Sequence, residues 1–167
     1  FYNCGVDSLV SEEDEADDLI ATLATKMALH GQDVTIISTD KGFLSLLSPN
    51  IRVYDHFNRR NLDENYVKSK FDIKPSQLID LWTLTGDSTN KIPGVSGIGQ
   101  ITAASLLNEY GSLSALLKSD NIKTSIQEKL KSSDEQIQIS RKLLTLKQNI
   151  PLGFNLKDIR LEQVQTE

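Results

Sequence analysis

Glu15, Asp17 and Asp18 place three carboxylates within four consecutive positions, and Asp14 adds a fourth. On a helix, Asp14 and Asp17, and likewise Glu15 and Asp18, lie three residues apart, and Asp14 and Asp18 lie four apart. Their charges are then neighbours that repel unless a cation relieves them. Hard divalent cations take oxygen ligands of this kind. Acids are also favoured at a helix N-terminus, where they face the positive end of the helix dipole, so the cluster by itself reads more readily as a solvated helix start than as a metal site. Asp40 adds a second observation. It follows the β-branched run Val34-Thr35-Ile36-Ile37-Ser38, just past the carboxyl end of an expected parallel strand, which is where α/β sheets bind ligands. Asp40 equally suits capping a short helix over 41–47.

The second constellation is Ile92-Pro93-Gly94-Val95-Ser96-Gly97-Ile98-Gly99, three glycines in six positions ahead of a helical pattern from Gln100 to Tyr110. Glycines let a backbone turn sharply and approach a ligand closely, and the N–H groups at the start of the following helix form an anion site. Phosphate is the natural guest, held through sugar-phosphate contacts that carry no sequence information. A tight helix–helix turn is the plain alternative for a lone pair of glycines. The longer pattern, apolar-Pro-Gly-apolar-x-Gly-Ile-Gly followed by Thr102-Ala103, has the form of a helix-hairpin-helix. Ile101, Ala104, Leu106 and Leu107 are expected to anchor its helix inward.

The elements that must position these residues divide the chain. Ser11 reads as an N-cap with Glu12 to Glu15 in the first turn of a helix that runs to His30. Leu19, Ile20, Leu23, Ala24, Met27 and Ala28 form its apolar stripe, and Gly31 stops it. The run over 34–38 predicts a parallel strand buried on both faces, and 51–54 predicts a second strand. Helix, strand, helix, strand argues for α/β architecture. Past residue 62 helical patterns take over, at 62–71, 75–84, 99–110, 113–117 (capped by Ser112), 122–130 and 134–146. The organisation expected is an α/β part over 1–62, a helical module over 63–150 and a carboxyl-terminal extension over 151–167.

The 167 residues are 38% hydrophobic and 25% charged, ordinary globular composition, and no apolar run approaches a membrane span. A single cysteine, Cys4, excludes an internal disulfide framework or thiolate metal cluster and fits the reducing cytoplasm. The net charge of −5 is uneven: residues 1–40 hold nine of the 23 acids and one of the 18 bases, leaving 14 acids against 17 bases beyond them. That asymmetry suits cation binding at one end and polyanion contact at the other.

The strings Glu15-Ala16-Asp17-Asp18-Leu19-Ile20, Ser38-Thr39-Asp40-Lys41-Gly42-Phe43 and Leu84-Thr85-Gly86-Asp87-Ser88-Thr89-Asn90-Lys91-Ile92-Pro93-Gly94-Val95, with Gly97-Ile98-Gly99, resemble the bacterial 5′-nuclease family. That family includes the amino-terminal domain of DNA polymerase I and the flap endonucleases. The resemblance covers residues 10–150. It implies the carboxyl-terminal part of a PIN-like α/β nuclease core, followed by an all-helical helix-three-turn-helix module of the helix-hairpin-helix kind that grips duplex DNA. By position, Glu15, Asp17 and Asp18 match catalytic carboxylates around a first magnesium, for which manganese can substitute, and Asp40 and Asp87 match carboxylates of a second.

Gly42 and Asn90 stand where the family commonly has further aspartates, so the second metal is expected to be weak, as in one flap-endonuclease branch that departs in the same way. In that branch potassium is held by main-chain carbonyls that map to Leu84, Thr85, Pro93, Val95 and Ile98. DNA phosphate contacts map to Gly97, Ile98, Gly99, Gln100, Ile101 and Thr102. The family's amino-terminal strands have no counterpart here, and the chain opens on Phe1, so it is expected to be the carboxyl-terminal portion of a longer, monomeric protein without a signal peptide.

The resemblance implies a structure-selective 5′-flap endonuclease acting in the cytoplasm near single-strand/duplex junctions, in DNA replication and repair. The alternative is a catalytically weak DNA-junction binder that retains the hairpin module. Trp82 is expected to pack in the core, His30 and His56 to lack metal partners, and Arg59-Arg60 to be either a phosphate contact or a solvated turn.

Overall fold

A computed structural model describes residues 8–154; Cys4 and most of the expected extension lie outside them. Ser11 does cap a turn, but not the helix. Its hydroxyl accepts from the Glu13 and Asp14 N–H groups at 3.2 and 3.1 Å, which satisfies those donors locally. The helix α1 therefore starts only at Ala16 and runs to Leu29, with Glu15 extended at its N-cap. Glu15 thus precedes the helix and Asp17 sits in its first turn, instead of all four acids sharing one turn.

Strands β1 (Val34–Ile37) and β2 (Ile51–Asp55) pair in parallel, with Ile37 opposite Tyr54. The expected burial of both faces of β1 is corrected. Among the described residues it is the edge of a three-stranded sheet, and alternate side chains face outward, leaving Ile37 67% exposed. Between the strands, Lys41–Leu46 form a 3-10 turn capped by Asp40.

A strand absent from the sequence reading, β3 (Arg60–Leu62), then pairs antiparallel with β2 to complete a hairpin. The helix expected from residue 62 begins later, as α2 (Glu64–Phe71), where the Asp63 carboxylate accepts from the Tyr66 N–H at 2.9 Å. At the end of β2 the buried Asp55 accepts from the Asn58 side chain at 2.7 Å and from its backbone at 3.1 Å. Those bonds, in that order, hold the Asp55 carboxyl below the ordinary aspartate range. The stability it contributes is present at neutral pH and is lost as pH falls through that lowered value.

The helical module follows. A 3-10 turn at Pro75–Gln77 leads into α3 (Leu78–Thr85), and a two-residue antiparallel pair, β4 (Gly86–Asp87) with β5 (Ile92–Pro93), interrupts the helices. Four helices complete it: α4 (Gln100–Tyr110), α5 (Leu113–Lys118), α6 (Thr124–Ser132) and α7 (Asp134–Leu144). Ala103, Ala104 and Leu107 anchor α4, whereas Ile101, expected to point inward, is 87% exposed. It belongs to the first turn, which projects past the packed face. One contiguous core joins the two parts, running from Leu44 and Val53 through Val67 and Leu78 to Leu107 and Ile137.

Two polar ties order the module. Gln77 donates to the carbonyls of Leu107 and Gly111 at 2.8 and 2.9 Å, closing the carboxyl end of α4. Buried Asp80 accepts from the Leu113 N–H at 2.8 Å, an otherwise orphaned donor at the start of α5, and pairs with Arg141 of α7 at 3.2 Å. Asp80→Ala strips both partners and is expected to lower stability by about 2 kcal/mol, read as a shift in the urea unfolding midpoint with an unchanged slope.

Candidate functional site

The start of α1, the turn after β1 and the β4–β5 hairpin meet around one cleft of about 740 Å³, whose lining includes Glu15, Asp17, Asp40 and Asp87. Four of the five acids expected at metal sites are therefore gathered, from three separated stretches of chain. The order of elements explains the meeting. Asp40 follows the carboxyl end of β1, α1 lies against β1 and β2, and α3 delivers Asp87 beside them.

The cluster is electrostatically loaded. Partial burial, and then the negative charges of Asp40, Glu15 and Asp18, push the Asp17 carboxyl above the 3.8 of an ordinary aspartate. Crowded carboxylate oxygens, with the proton affinity of Asp17 raised among them, fit a hard divalent cation, which replaces the missing counter-charge. They do not form a closed cage: among the described residues no group of three or more such side chains stands at ligating distance of a common point.

Asp40 and Asp87 are each tied to their own loop. Asp40 accepts from the Gly42 N–H at 2.7 Å, and a Cβ at position 42 would stand 3.2 Å from that same carboxylate oxygen. Asp87 accepts from the Thr89 N–H at 2.9 Å and from the Asn90 side chain at 2.7 Å. Asn90 thus offers its amide N–H toward the site, and both oxygens of Asp87 already have donors.

Asp18, expected in the same ligand set, is placed apart from the other four acids. It is 7% exposed and does not line the cleft. Its carboxylate accepts from the Lys147 N–H at 2.8 Å and faces the Lys147 ammonium at 3.5 Å, as does that of Asp14. Burial alone would lower the Lys147 pKa, but the charges of Asp18 and Asp14 outweigh it and raise it.

The pairing belongs to a strap over residues 147–150. Thr22 donates to the Lys147 carbonyl at 3.2 Å and accepts from the Ile150 N–H at 3.3 Å, and Lys26 reaches the Ile150 carbonyl at 3.1 Å. Lys147 stands 129 positions from Asp18, too far for any local pattern to reveal.

The glycine hairpin is built from close backbone approach. A Cβ on Gly94 would lie 2.2 Å from the Thr85 carbonyl carbon, and one on Gly86, whose φ is +80°, 2.6 Å from the Gly94 nitrogen. The Val95 N–H donates to Leu84 at 2.8 Å and the Ile98 N–H to Val95 at 3.0 Å. Gly97, Gly99, Gln100, Ile101 and Thr102 are exposed at the N-terminal end of α4, with Ile98 buried beneath them.

Three residues here escaped the sequence reading. Lys129 of α6 donates to the Gly97 carbonyl at 3.1 Å, placing a cation beside the helix start. Gln136 and Ser140 of α7 donate to the Pro93 carbonyl at 2.8 and 3.2 Å. Of the carbonyls expected to hold potassium, Leu84, Thr85, Pro93, Val95 and Ile98, that of Pro93 therefore has both acceptor positions filled.

Trp82 departs from its expected core role in part: its ring packs edge-on against Phe71, 6.2 Å between centroids, yet it also lines the cleft. Gln100 does the same from α4 while donating to the Lys70 carbonyl at 2.9 Å. Among the described residues, no helix is long and apolar enough to cross a membrane.

Comparison with known proteins agrees across the chain. A model described as the 5′-3′ exonuclease N-terminal resolvase-like domain matches residues 1–72, and one described as the 5′-3′ exonuclease C-terminal SAM fold matches residues 73–167. Flap endonuclease Xni of Colwellia psychrerythraea is 74% identical over 161 residues, 96% of this chain and 56% of that protein. Flap endonuclease Xni of Vibrio parahaemolyticus is 49% identical over 160 residues, 96% of this chain and 62% of that protein. The chain therefore spans less than two thirds of the length of these relatives.

The fold is shared with the bacteriophage T5 flap endonuclease, solved in a complex with DNA and metal ions, at a TM-score of 0.70 and 24% identity over 79% of this chain and 50% of that one. The acidic cleft, the glycine hairpin and these matches lead to one assignment: the chain belongs to the 5′-3′ exonuclease family.

Proposed function

We propose that the protein is a structure-selective 5′-flap endonuclease that hydrolyses DNA phosphodiester bonds near single-strand/duplex junctions in replication and repair, as a monomer in the cytoplasm. One observation carries this reading. Asp87 and Gln100, which belong to the hairpin module, line the same cleft as Glu15, Asp17 and Asp40. A backbone held by the hairpin is thereby delivered to the acids. The relatives named flap endonuclease Xni support the same activity.

A divalent ion, magnesium or manganese in its place, would activate water and stabilise charge developing on the scissile phosphate. Glu15 and Asp17 would hold it as the principal ligands, with Asp40 and Asp87 serving a weaker second position because their oxygens are partly committed. Asp18 keeps the α1 start rigid through Lys147 rather than touching the ion. The N–H groups of the exposed residues Gly97, Gly99, Gln100, Ile101 and Thr102 bind phosphate irrespective of sequence, with Lys129 adding a cation. Potassium at the hairpin carbonyls would draw the Pro93 oxygen away from Gln136.

Because Asp17 must be ionised to ligate, and its pKa is raised by burial, Asp40, Glu15 and Asp18, affinity for magnesium is expected to weaken as pH falls toward that raised value. Calorimetric magnesium titrations across the mildly acidic range read the effect. Unchanged affinity would remove Asp17 from the ligand set.

The binding half of the function is tested by titrating a labelled 5′-flap DNA against the protein at increasing salt. Neutralised phosphates release counterions, so log affinity should fall linearly with log salt, by about 0.9 per phosphate contact. A salt-insensitive complex would exclude the hairpin mode.

A second reading, a junction binder whose metal site has decayed, is favoured by the Asp87–Asn90 bond and by Gly42. It predicts the same DNA binding with no cleavage.

A further inference from the structure

The β2–β3 hairpin carries the one exposed aromatic side chain among the described large hydrophobic residues, Phe57, at 77%, and nothing in the proposed mechanism uses it. The tip is built to hold this ring out. Buried Asp55 accepts from the Asn58 backbone and side chain and stands 3.7 Å from the Arg60 guanidinium. Arg59 occupies the left-handed region at φ 49°. The His56 ring lies against Phe57, with centroids 4.1 Å apart. A ring displayed by an internally bonded turn loses little freedom when it is covered.

Charge says what would cover it. Residues 56–61 contain two arginines and no acid in a chain of net charge −5. The basic character continues inward. Arg60 lies over the Tyr66 ring at 5.1 Å, and the Lys70 ammonium sits 5.3 Å from that ring and hydrogen-bonds its hydroxyl at 2.8 Å. The Lys70 carbonyl in turn accepts from Gln100 at the phosphate-facing start of α4. A cationic path thus runs from the glycine hairpin to the β-hairpin tip.

The tip also leaves the sheet at the end that bears the acids. β1 and β2 are parallel, the Ser38 N–H donates to the Tyr54 carbonyl at 3.1 Å, and Asp40 follows one residue past Ser38, after Thr39.

We propose that the β2–β3 hairpin is a second DNA contact in which Phe57 stacks on an exposed base at the single-strand/duplex junction while Arg59 and Arg60 hold the adjoining phosphates. Stacking on an aromatic side chain accepts any base, so the contact selects for unpaired bases and not for sequence. It supplies a preference for junctions that the glycine hairpin, which reads backbone alone, does not. The inference rests on the DNA-processing reading above.

The test compares the wild-type protein with Phe57→Ala and Phe57→Trp, using fluorescence anisotropy in calcium on a 5′-flap DNA and on a blunt duplex of equal length. Phe57→Ala is expected to weaken flap binding on the order of tenfold, to leave duplex binding within about twofold, and to be rescued by Phe57→Trp. The ring is exposed, so the variants should melt with the wild type. Flap affinity unchanged in Phe57→Ala would overturn the proposal and mark the tip as a surface for some other macromolecule. An equal loss on both DNAs would overturn stacking as its basis. A wild-type protein that binds neither DNA would overturn the functional reading as well, which separates the two failures.

Discussion

Asp17→Asn is expected to lower metal-dependent flap cleavage on the order of 10³-fold while leaving flap affinity nearly unchanged. The substitution keeps the size of the side chain and removes one full negative charge from the position where burial and three neighbouring carboxylates press hardest. Metal-held stabilisation of a scissile phosphate contributes several kcal/mol, and each 1.36 kcal/mol is a factor of ten. Loss of about 4 kcal/mol therefore accounts for the expected drop. The phosphate contacts proposed at the α4 start do not involve Asp17, so binding should survive, and relief of repulsion should hold or slightly raise the melting temperature. Single-turnover cleavage with anisotropy on the same DNA separates the terms. Wild-type cleavage by Asp17→Asn would remove the cleft from the chemistry.

Gly94→Ala is expected to have the largest structural effect. The added carbon would lie 2.2 Å from the Thr85 carbonyl carbon and 2.4 Å from the Gly86 nitrogen, both backbone atoms that cannot swing aside. β5 would have to separate from β4, carrying away the Val95–Leu84 hydrogen bond that closes the turn. A cost of about 3 kcal/mol follows from forced overpacking of this kind, about 6–12 °C in melting temperature for a chain of this size. Duplex affinity should fall with it, because the amides at 97–102 lose their common orientation. Gly99→Ala is the control: its φ is −88° and a Cβ there meets nothing within 4 Å. Equal effects of the two would mean that the hairpin is not held by the Gly86–Gly94 approach.

Much of this site was legible because its chemistry is local. The acids at 15 and 17, the β-branched run ahead of Asp40 and the glycine pattern each lie within a few residues, and the structure gathers Glu15, Asp17, Asp40 and Asp87 around one cleft. What could not be read is what tertiary contact decides. Asp18 looks equivalent to Asp17 in sequence, but a helix carries adjacent residues to different faces, and Lys147 claims one of them.

The start of α1 was misplaced because Ser11 caps a turn with the same side-chain chemistry that caps a helix. β3, β4 and β5 are three, two and two residues long, too short for alternation to register. Ile37 and Ile101 are apolar residues at core spacing that lie where no other described element covers them.

The central claim is that the acidic cleft cuts DNA that the hairpin holds. It is tested most directly by following a 5′-end-labelled flap DNA with the protein as magnesium is added, with potassium present. The account predicts saturable, magnesium-dependent release of a product cut near the junction, abolished by Asp17→Asn. Tight flap binding with no cleavage at any magnesium or manganese concentration would contradict it and leave a junction-binding protein in its place.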